Sequence, residues 1–524
     1  MIHIIHQTKK CLFALAVLTL GACSKSDSED TPPVDEVKPV QSEALLTALK
    51  AEGFSFEGNR LVVNDKVKNT TTLDLSGKNL TDVTGLASFP NLKEVNLSNN
   101  KFANVFDFGQ LPKSVTSVNL SKNTIYEFEH LAQFNYEENA AEKITLSHPI
   151  EHLILPQSAK YNMHNIPALV KVLPNVDVQI ENATGKVEKY TTLRSVPDAI
   201  FRKILKRQYP TVFESDKIDI SKQMTMESAS LAIVISQEAR NPSEPEVDER
   251  YDVVSIEGVE YIINHPQFAG NIILEMSEAK RYTIPYFKIA KKTELLSLQY
   301  VNTGYINFSE AQTLADITIG HNKTIKNLDL SASKQMCQIL RNRQSPFWSA
   351  DKLSLIDLPE LESLQLPNFA QSKNPLTFLS FSLESLPKLK ATLDLSEMTA
   401  GNALGFAKVP GVKVIFPKKI LYGFDIMGEA VKEGHSLWEK MKQDYFGDPD
   451  KWDAAGGAFI LSVTPDFYKR HPDIKDFVNN RKRVERILSY SLFEDNTLDF
   501  VEIKRGVLQE PSENATEPTD EENN

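Results

Sequence analysis

His148-Pro149-Ile150-Glu151-His152 carries the spacing that suits metal-assisted hydrolysis. On a helix, H-x-x-E-H sets two imidazoles on one face to hold zinc and places the glutamate to activate water. Here it lies between Ile144-Thr145-Leu146 and Leu153-Ile154-Leu155-Pro156, which both read as strand cores of a repeat. Pro149 also biases His148 away from helical backbone. The expectation is therefore a loop between strands, with no bound metal. Glu214-Ser215-Asp216-Lys217-Ile218-Asp219 offers carboxylates but lacks the alternating ligands and central glycine of a calcium loop, so it reads as a strand with polar flanks.

Other chemistry is thinly represented. The chain has no G-x-S-x-G elbow and no phosphate-cradling glycine loop. An enzyme built from residues distant in sequence stays open, with no motif arguing for it. Of the tryptophans Trp348, Trp438 and Trp452, the last lies in a turn-rich stretch from Gly447 to Gly457 and is the candidate for stacking on a sugar ring. Core packing is the simpler reading of all three. A net charge of -12 argues against nucleic acid as a partner.

The N-terminus carries a different kind of signal. Lys9 and Lys10 precede an apolar run from Cys11 to Leu20, of secretory length and too short to span a bilayer. The run ends in Leu20-Gly21-Ala22-Cys23. This resembles the lipobox of bacterial lipoproteins, which implies cleavage after residue 22 and lipid attachment at Cys23. Residues 23–41, rich in Asp, Glu and Pro, read as a flexible acidic tether. Ser24 after the cysteine, followed by Asp27, Glu29 and Asp30, is similar to the surface-export signal of Bacteroidetes lipoproteins. The implied address is the outer membrane, lipid-anchored and exposed at the cell surface. Cys337 is then the only free cysteine of the mature chain, so no internal disulfide forms, and it reads as a small core residue.

Stability must come from packing, and the repeats say how. Leu73-x-Leu75-x-x-Lys78-x-Leu80, Val95-x-Leu97-x-x-Asn100-x-Phe102 and Val118-x-Leu120-x-x-Asn123-x-Ile125 place apolar residues at the same offsets, 22 and then 23 residues apart. They resemble leucine-rich repeats, whose period is about 20–29 residues. Each L-x-L is then a short strand with both apolar residues inward, and the Asn ties neighbouring turns through buried backbone groups. Lys78 stands in place of Asn, which puts the first repeat near an end of the stack. Leu153–Pro156, Leu364-Gln365-Leu366-Pro367 and Val414-Ile415-Phe416-Pro417 share an L-x-L-P ending. Ile317-x-Ile319-x-x-Asn322, Leu328-x-Leu330 and Leu393-x-Leu395 read as further strands, spaced as closely as 11 residues.

Helices flank the repeats. Residues 42–54, with Leu45, Leu46 and Leu49 on one face, precede a strand at Leu61–Val63. A second helix opens at Val196-Pro197-Asp198 and buries Ile200, Phe201, Ile204 and Leu205, followed by a strand at Ile218–Ile220. Such helices resemble the caps that close leucine-rich repeats in bacterial surface proteins. The expected fold is α/β: a leucine-rich-repeat solenoid of two irregular tandem arrays with helical caps, plus a small α+β C-terminal region. The arrays span 42–190 and 191–420, with an inserted loop at Asn241–Asp252. The C-terminal region, 421–509, holds helices at Phe424–Tyr445 and Asp476–Tyr490, and an acidic tail fills 510–524.

This resemblance implies recognition without catalysis. Beside the inward leucines lie Asp74, Ser76, Glu94, Asn96, Ser98, Ser117, Asn119 and Ser121, a polar concave face suited to an extracellular protein ligand. The alternative is a glycan-binding accessory lipoprotein using Trp452 in the C-terminal region. No cofactor is expected, and the chain reads as a monomer held to the membrane by its N-terminal lipid.

Overall fold

The computed structural model describes residues 36–135, 143–226, 230–234, 252–333, 352–368, 377–417, 419–421, 460–474, 476, 486–488, 503–504 and 507–508. Cys23, most of the tether, all but the last residue of the Asn241–Asp252 insertion, Cys337, the three tryptophans, the helix expected at Phe424–Tyr445 and the acidic tail lie outside them.

The described fold is mixed α/β, with many strands and few helices and no sheet closed into a barrel. The first helix, Glu43–Ala51, starts where Ser42 accepts a hydrogen bond from Leu45 N, and it buries Leu45, Leu46, Ala48 and Leu49. Strands Thr72–Asp74, Glu94–Asn96, Ser117–Asn119, His152–Leu155 and Asp177–Glu181 then pair in parallel, each with the next. Leu73, Val95, Val118, Leu153 and Val178 stack in register on the buried side. Asp177–Glu181 is finished by an antiparallel strand, Val187–Lys189. Thr72–Asp74 is the outermost strand at the other edge, the position expected from Lys78.

Asparagines bind these passes together. Asn100 Oδ1 accepts from Lys78 N and Leu80 N, while its Nδ2 donates to the carbonyls of Leu75 and Leu97. Asn123 does the same one pass later, accepting from Asn100 N and Phe102 N and donating to Leu97 and Leu120. Parallel pairing alone leaves the turn amides and carbonyls without partners, and a buried unpaired group costs about 1–3 kcal/mol.

A second helix, Ala199–Gln208, is capped by Asp198, whose Oδ1 accepts from Ile200 N and Phe201 N at 2.9 Å each. Pro197 therefore sits just before the cap and outside the helix, because Asp can close the first turn and Pro cannot. Phe201, Ile204 and Leu205 are buried, and Ile200 only partly. The Glu214–Asp219 stretch is a tight antiparallel turn between Phe213–Glu214 and Lys217–Asp219.

A larger sheet follows. Its parallel order runs Ser230–Val234, Asn271–Glu275, Leu295–Gln299, Asp316–Gly320, Lys352–Ile356, Thr377–Glu384, Thr399–Ala407 and Ile460–Val463, ending at Arg486–Leu488. Arg486–Leu488 falls within the stretch expected to be helical. It is a strand, with Ile487 in register with Leu461, because a parallel neighbour supplies the backbone partners that an isolated helix would supply itself. The sheet thus continues past residue 420, where a change of architecture was expected.

Between passes the chain returns through a second tier of parallel pairs: Tyr282–Lys288 with Val301–Asn307, Asn327–Asp329 with Ser363–Gln365, and Ala391–Asp394 with Val412–Ile415. This explains the 11-residue spacing of Ile317 and Leu328, which belong to different sheets on the two sides of one pass. After the large sheet's strands, Tyr300, His321, Asp357, Ser385 and Lys408 all adopt left-handed backbone with φ from 50° to 56°. One more ladder bond runs through the corners at Tyr300, His321, Asp357 and Ser385, as in Asp357 N to Glu384 O.

The core forms two clusters. Residues from Val40 to Tyr190 make one, and residues from Val196 to Ile474 make the other, which also takes in Tyr126, Tyr161 and Met163. Tyr126 stacks on Tyr286 at 4.7 Å and 9°, so the region before Tyr190 and the region after Val196 meet through aromatic faces.

Candidate functional site

The open face of the first sheet carries two outward rows. Thr72, Glu94, Ser117, His152 and Asp177 form one, and Asp74, Asn96, Asn119, Ile154 and Gln179 the other. The structure therefore brings together the residues read from the repeats, but several are already engaged. Asp74 Oδ1 accepts from Ser76 N, Asn96 Oδ1 from Ser98 N, and Asn119 Oδ1 from both N and Oγ of Ser121. The bonds from Ser76 hold the Asp74 carboxyl below its usual range against a small burial effect. Ser121 is a correction: it is 7% exposed, and its neighbour Lys122 donates its N–H to Glu181 from the strand two passes on. The row closes over at that end, so Ser121 is not available to a ligand.

His152 and Asp177, which the repeat pattern did not single out, share a 2.8 Å contact on this face. His148 is fully buried with Nε2 3.0 Å from Val115 O, and burial, helped by Lys113, pulls its pKa down to about 4. His148 and His152 thus do not share a helix, and the two imidazoles do different jobs. Ile144–Leu146, expected to be a repeat strand, instead pairs antiparallel with Ala132–Asn135, outside the parallel ladder. On the returning side, Asp107, Glu129 and His130 bring three potential ligand atoms within 4.8 Å, but Asp107 Oδ1 is already taken by Gly109 N and His130 Nδ1.

A cavity of about 490 Å³ lies where residues 163–171 of the first region meet the start of the second. Lys171 comes from the end of the helix Ile166–Val172, Lys222 follows the strand Lys217–Asp219, and Lys288, Lys291 and Lys292 come from the end of Tyr282–Lys288 and the turn after it. Met163, Met224 and Phe268 supply buried apolar wall. Lys288 Nζ sits 2.8 Å from Glu310 and 3.6 Å from Glu127, and Lys222 Nζ 3.2 Å from Glu214. Burial pushes the Glu310 carboxyl up, but the hydrogen bond and charge of Lys288 outweigh it and hold it low. His265 Nε2 lies 2.9 Å from Lys222 O, a carbonyl that can only accept, so this nitrogen carries the proton. Since Gln267 N donates to its Nδ1, the neutral Nε2–H form satisfies both, and burial holds its pKa down to about 4. Burial, with Lys288 adding to it, also holds His164 well below the usual histidine range.

The sequence signalled none of this cavity. Its lysines come from three separated segments, and only the pair Lys291-Lys292 is even adjacent. Trp452, the residue considered for a glycan, lies outside the described residues. No protein-family model matches the chain, and no curated protein matches it either.

Proposed function

We propose that the chain is a leucine-rich-repeat solenoid carried on the outer face of a bacterial outer membrane by lipid at Cys23, and that it works by binding an extracellular protein. The observation that supports this most is the pair of asparagine bridges, Asn100 and Asn123, each joining two successive L-x-L strands through four backbone groups. A stack of that kind keeps one sheet face open along its length, an extended surface suited to recognition. The ligand-facing residues are Asp74, Ser76, Glu94, Asn96, Ser98, Ser117 and Asn119, with His152 and Asp177 extending the rows. With no large aromatic anchor among them, binding at this face is of modest affinity.

The test is capture of extracellular proteins by the mature chain, repeated with Ser117→Arg and Glu94→Arg. Loss of a captured protein in both variants, with unfolding unchanged, supports the reading. Capture that persists in both moves recognition off this face. Cys23→Ser tests the tether: metabolic palmitate labelling and membrane association both disappear if Cys23 is the lipid site, and persistence of either overturns that assignment.

A further inference from the structure

We propose that the lysine-lined cavity binds a compact organic polyanion, a small carbon framework carrying two or more phosphate, sulfate or carboxylate groups. The cavity inverts the sign of the molecule: five lysines line it in a chain of net charge -12, with Glu310 the only acidic residue in the lining. Counting Glu127 and Glu214, which lie behind it on Lys288 and Lys222, still leaves a positive excess. Lys291 and Lys292 are exposed and form no salt bridge among the described residues, so they are the two charges open to a ligand.

The geometry favours an organic polyanion over a lone ion. Beside the adjacent Lys291 and Lys292, Lys171, Lys222 and Lys288 bring charge to the same lining from other points of the chain, more than a single small oxyanion neutralises. The apolar wall of Met163, Met224 and Phe268 suits a carbon framework. The volume falls in the range of about 300–1,000 Å³ typical of small-molecule sites. Lysine places a mobile point charge where arginine would impose a fixed fork, which suits oxyanions at variable positions on a ring. His265 is satisfied as a neutral imidazole, and Glu310 is held by Lys288, so neither group competes as a mobile countercharge. This site stands apart from the open strand face, and either can fail without the other.

The experiment is isothermal titration of the full mature chain with inositol hexakisphosphate, sucrose octasulfate and citrate, against myo-inositol and inorganic phosphate. Saturable one-site binding of at least one polyanion, weakened by added salt, is expected, and which probe binds identifies the oxyanion. Lys291→Glu and Lys292→Glu should each lower affinity by about tenfold or more, while Lys323→Glu, exposed outside the cavity, leaves it unchanged. All three lysines lie on the surface, and an unaltered thermal midpoint reports that each variant is folded. Three results overturn the proposal. None of the polyanions binds; inorganic phosphate binds as tightly as they do, leaving an adventitious ion only; or the three variants weaken binding equally, leaving general surface charge.

Discussion

The first parallel sheet and the larger one solve the same problem with different side chains. Both stack strands whose turns leave backbone groups buried between passes. In the first, Asn100 and Asn123 each serve four such groups from one fixed offset after the strand. In the larger, only Asn322 stands at the matching offset, donating to Val301 O and accepting from Thr324 N and Ile325 N. Other bridges start from varied offsets: Asn271 accepts from Glu294 N and Leu295 N, Asn264 accepts from Lys288 N, and hydroxyls run from Thr293 to Gly270 O, Thr324 to Thr303 O and Ser333 to Leu314 O. An amide both donates and accepts and so can bridge two passes alone. A hydroxyl mends one bond at a time and leaves pass length free to vary.

That contrast sets the size of several effects. Asn123→Leu should have the largest, about 3 kcal/mol, since it strands two amides and two carbonyls at once; urea unfolding at neutral pH measures it. A loss below 1 kcal/mol would mean water replaces the bridge, and the two sheets would then differ less than their bonds suggest.

Next come two buried groups of opposite sense. His148, in the first region, has a pKa lowered from 6.5 to about 4, so the unfolded chain takes up its proton more readily. Its contribution is lost as pH falls from about 6.5 toward 4, on the order of 2 kcal/mol in all. Glu384, in the larger sheet, is pushed by burial from 4.5 to about 7, against the charge of Lys408, and Asp357 adds to the rise. Its contribution is present below about pH 4.5 and lost as pH rises through 7, by a similar amount. Stability measured across pH should therefore show a shallower acid limb in His148→Gln and a shallower loss above neutrality in Glu384→Gln. Unchanged limbs would remove these groups from the linkage.

Thr293→Val should cost only about 1 kcal/mol, one lost bond to Gly270 O in a fully buried position, against the larger loss at Asn123. Smallest of all, Lys78→Ala should change stability by less than about 0.5 kcal/mol, because its side chain reaches back only to Glu52, in an exposed pair at 3.9 Å. If Lys78→Ala matched Asn123→Leu, the distinction between edge and interior of the ladder would fail.

The same contrast explains how much of the fold is legible in the sequence. Leu73, Val95 and Val118 announced their pairing because an asparagine at a constant offset keeps the pass length constant. The helix at Glu43–Ala51 was equally legible from Ser42 and its apolar face. The larger sheet shows in the sequence only as scattered L-x-L pairs, since its bridging amides and hydroxyls stand at varied offsets and its strands alternate between two tiers. Arg486–Leu488 misled for a related reason: a short apolar run is strand or helix according to its neighbour, here Ile460–Val463. Of the open face, the outward residues followed from the repeats, but the burial of Ser121 did not, and neither did the bond of its neighbour Lys122 to Glu181, two strands away. The lysine cavity was invisible because Lys171, Lys222 and Lys291 converge only when the two regions meet.

One consequence of the sheet order concerns force. In the larger sheet nearly every strand is bonded only to the pass before it and the pass after it, in unbroken chain order through Ile460–Val463. A pull along the chain axis then meets no strand clamped between distant segments, as a sandwich or barrel would present. The molecule should yield pass by pass from an end, in a staircase of small extensions at low load, and rewind by the same steps when slack returns.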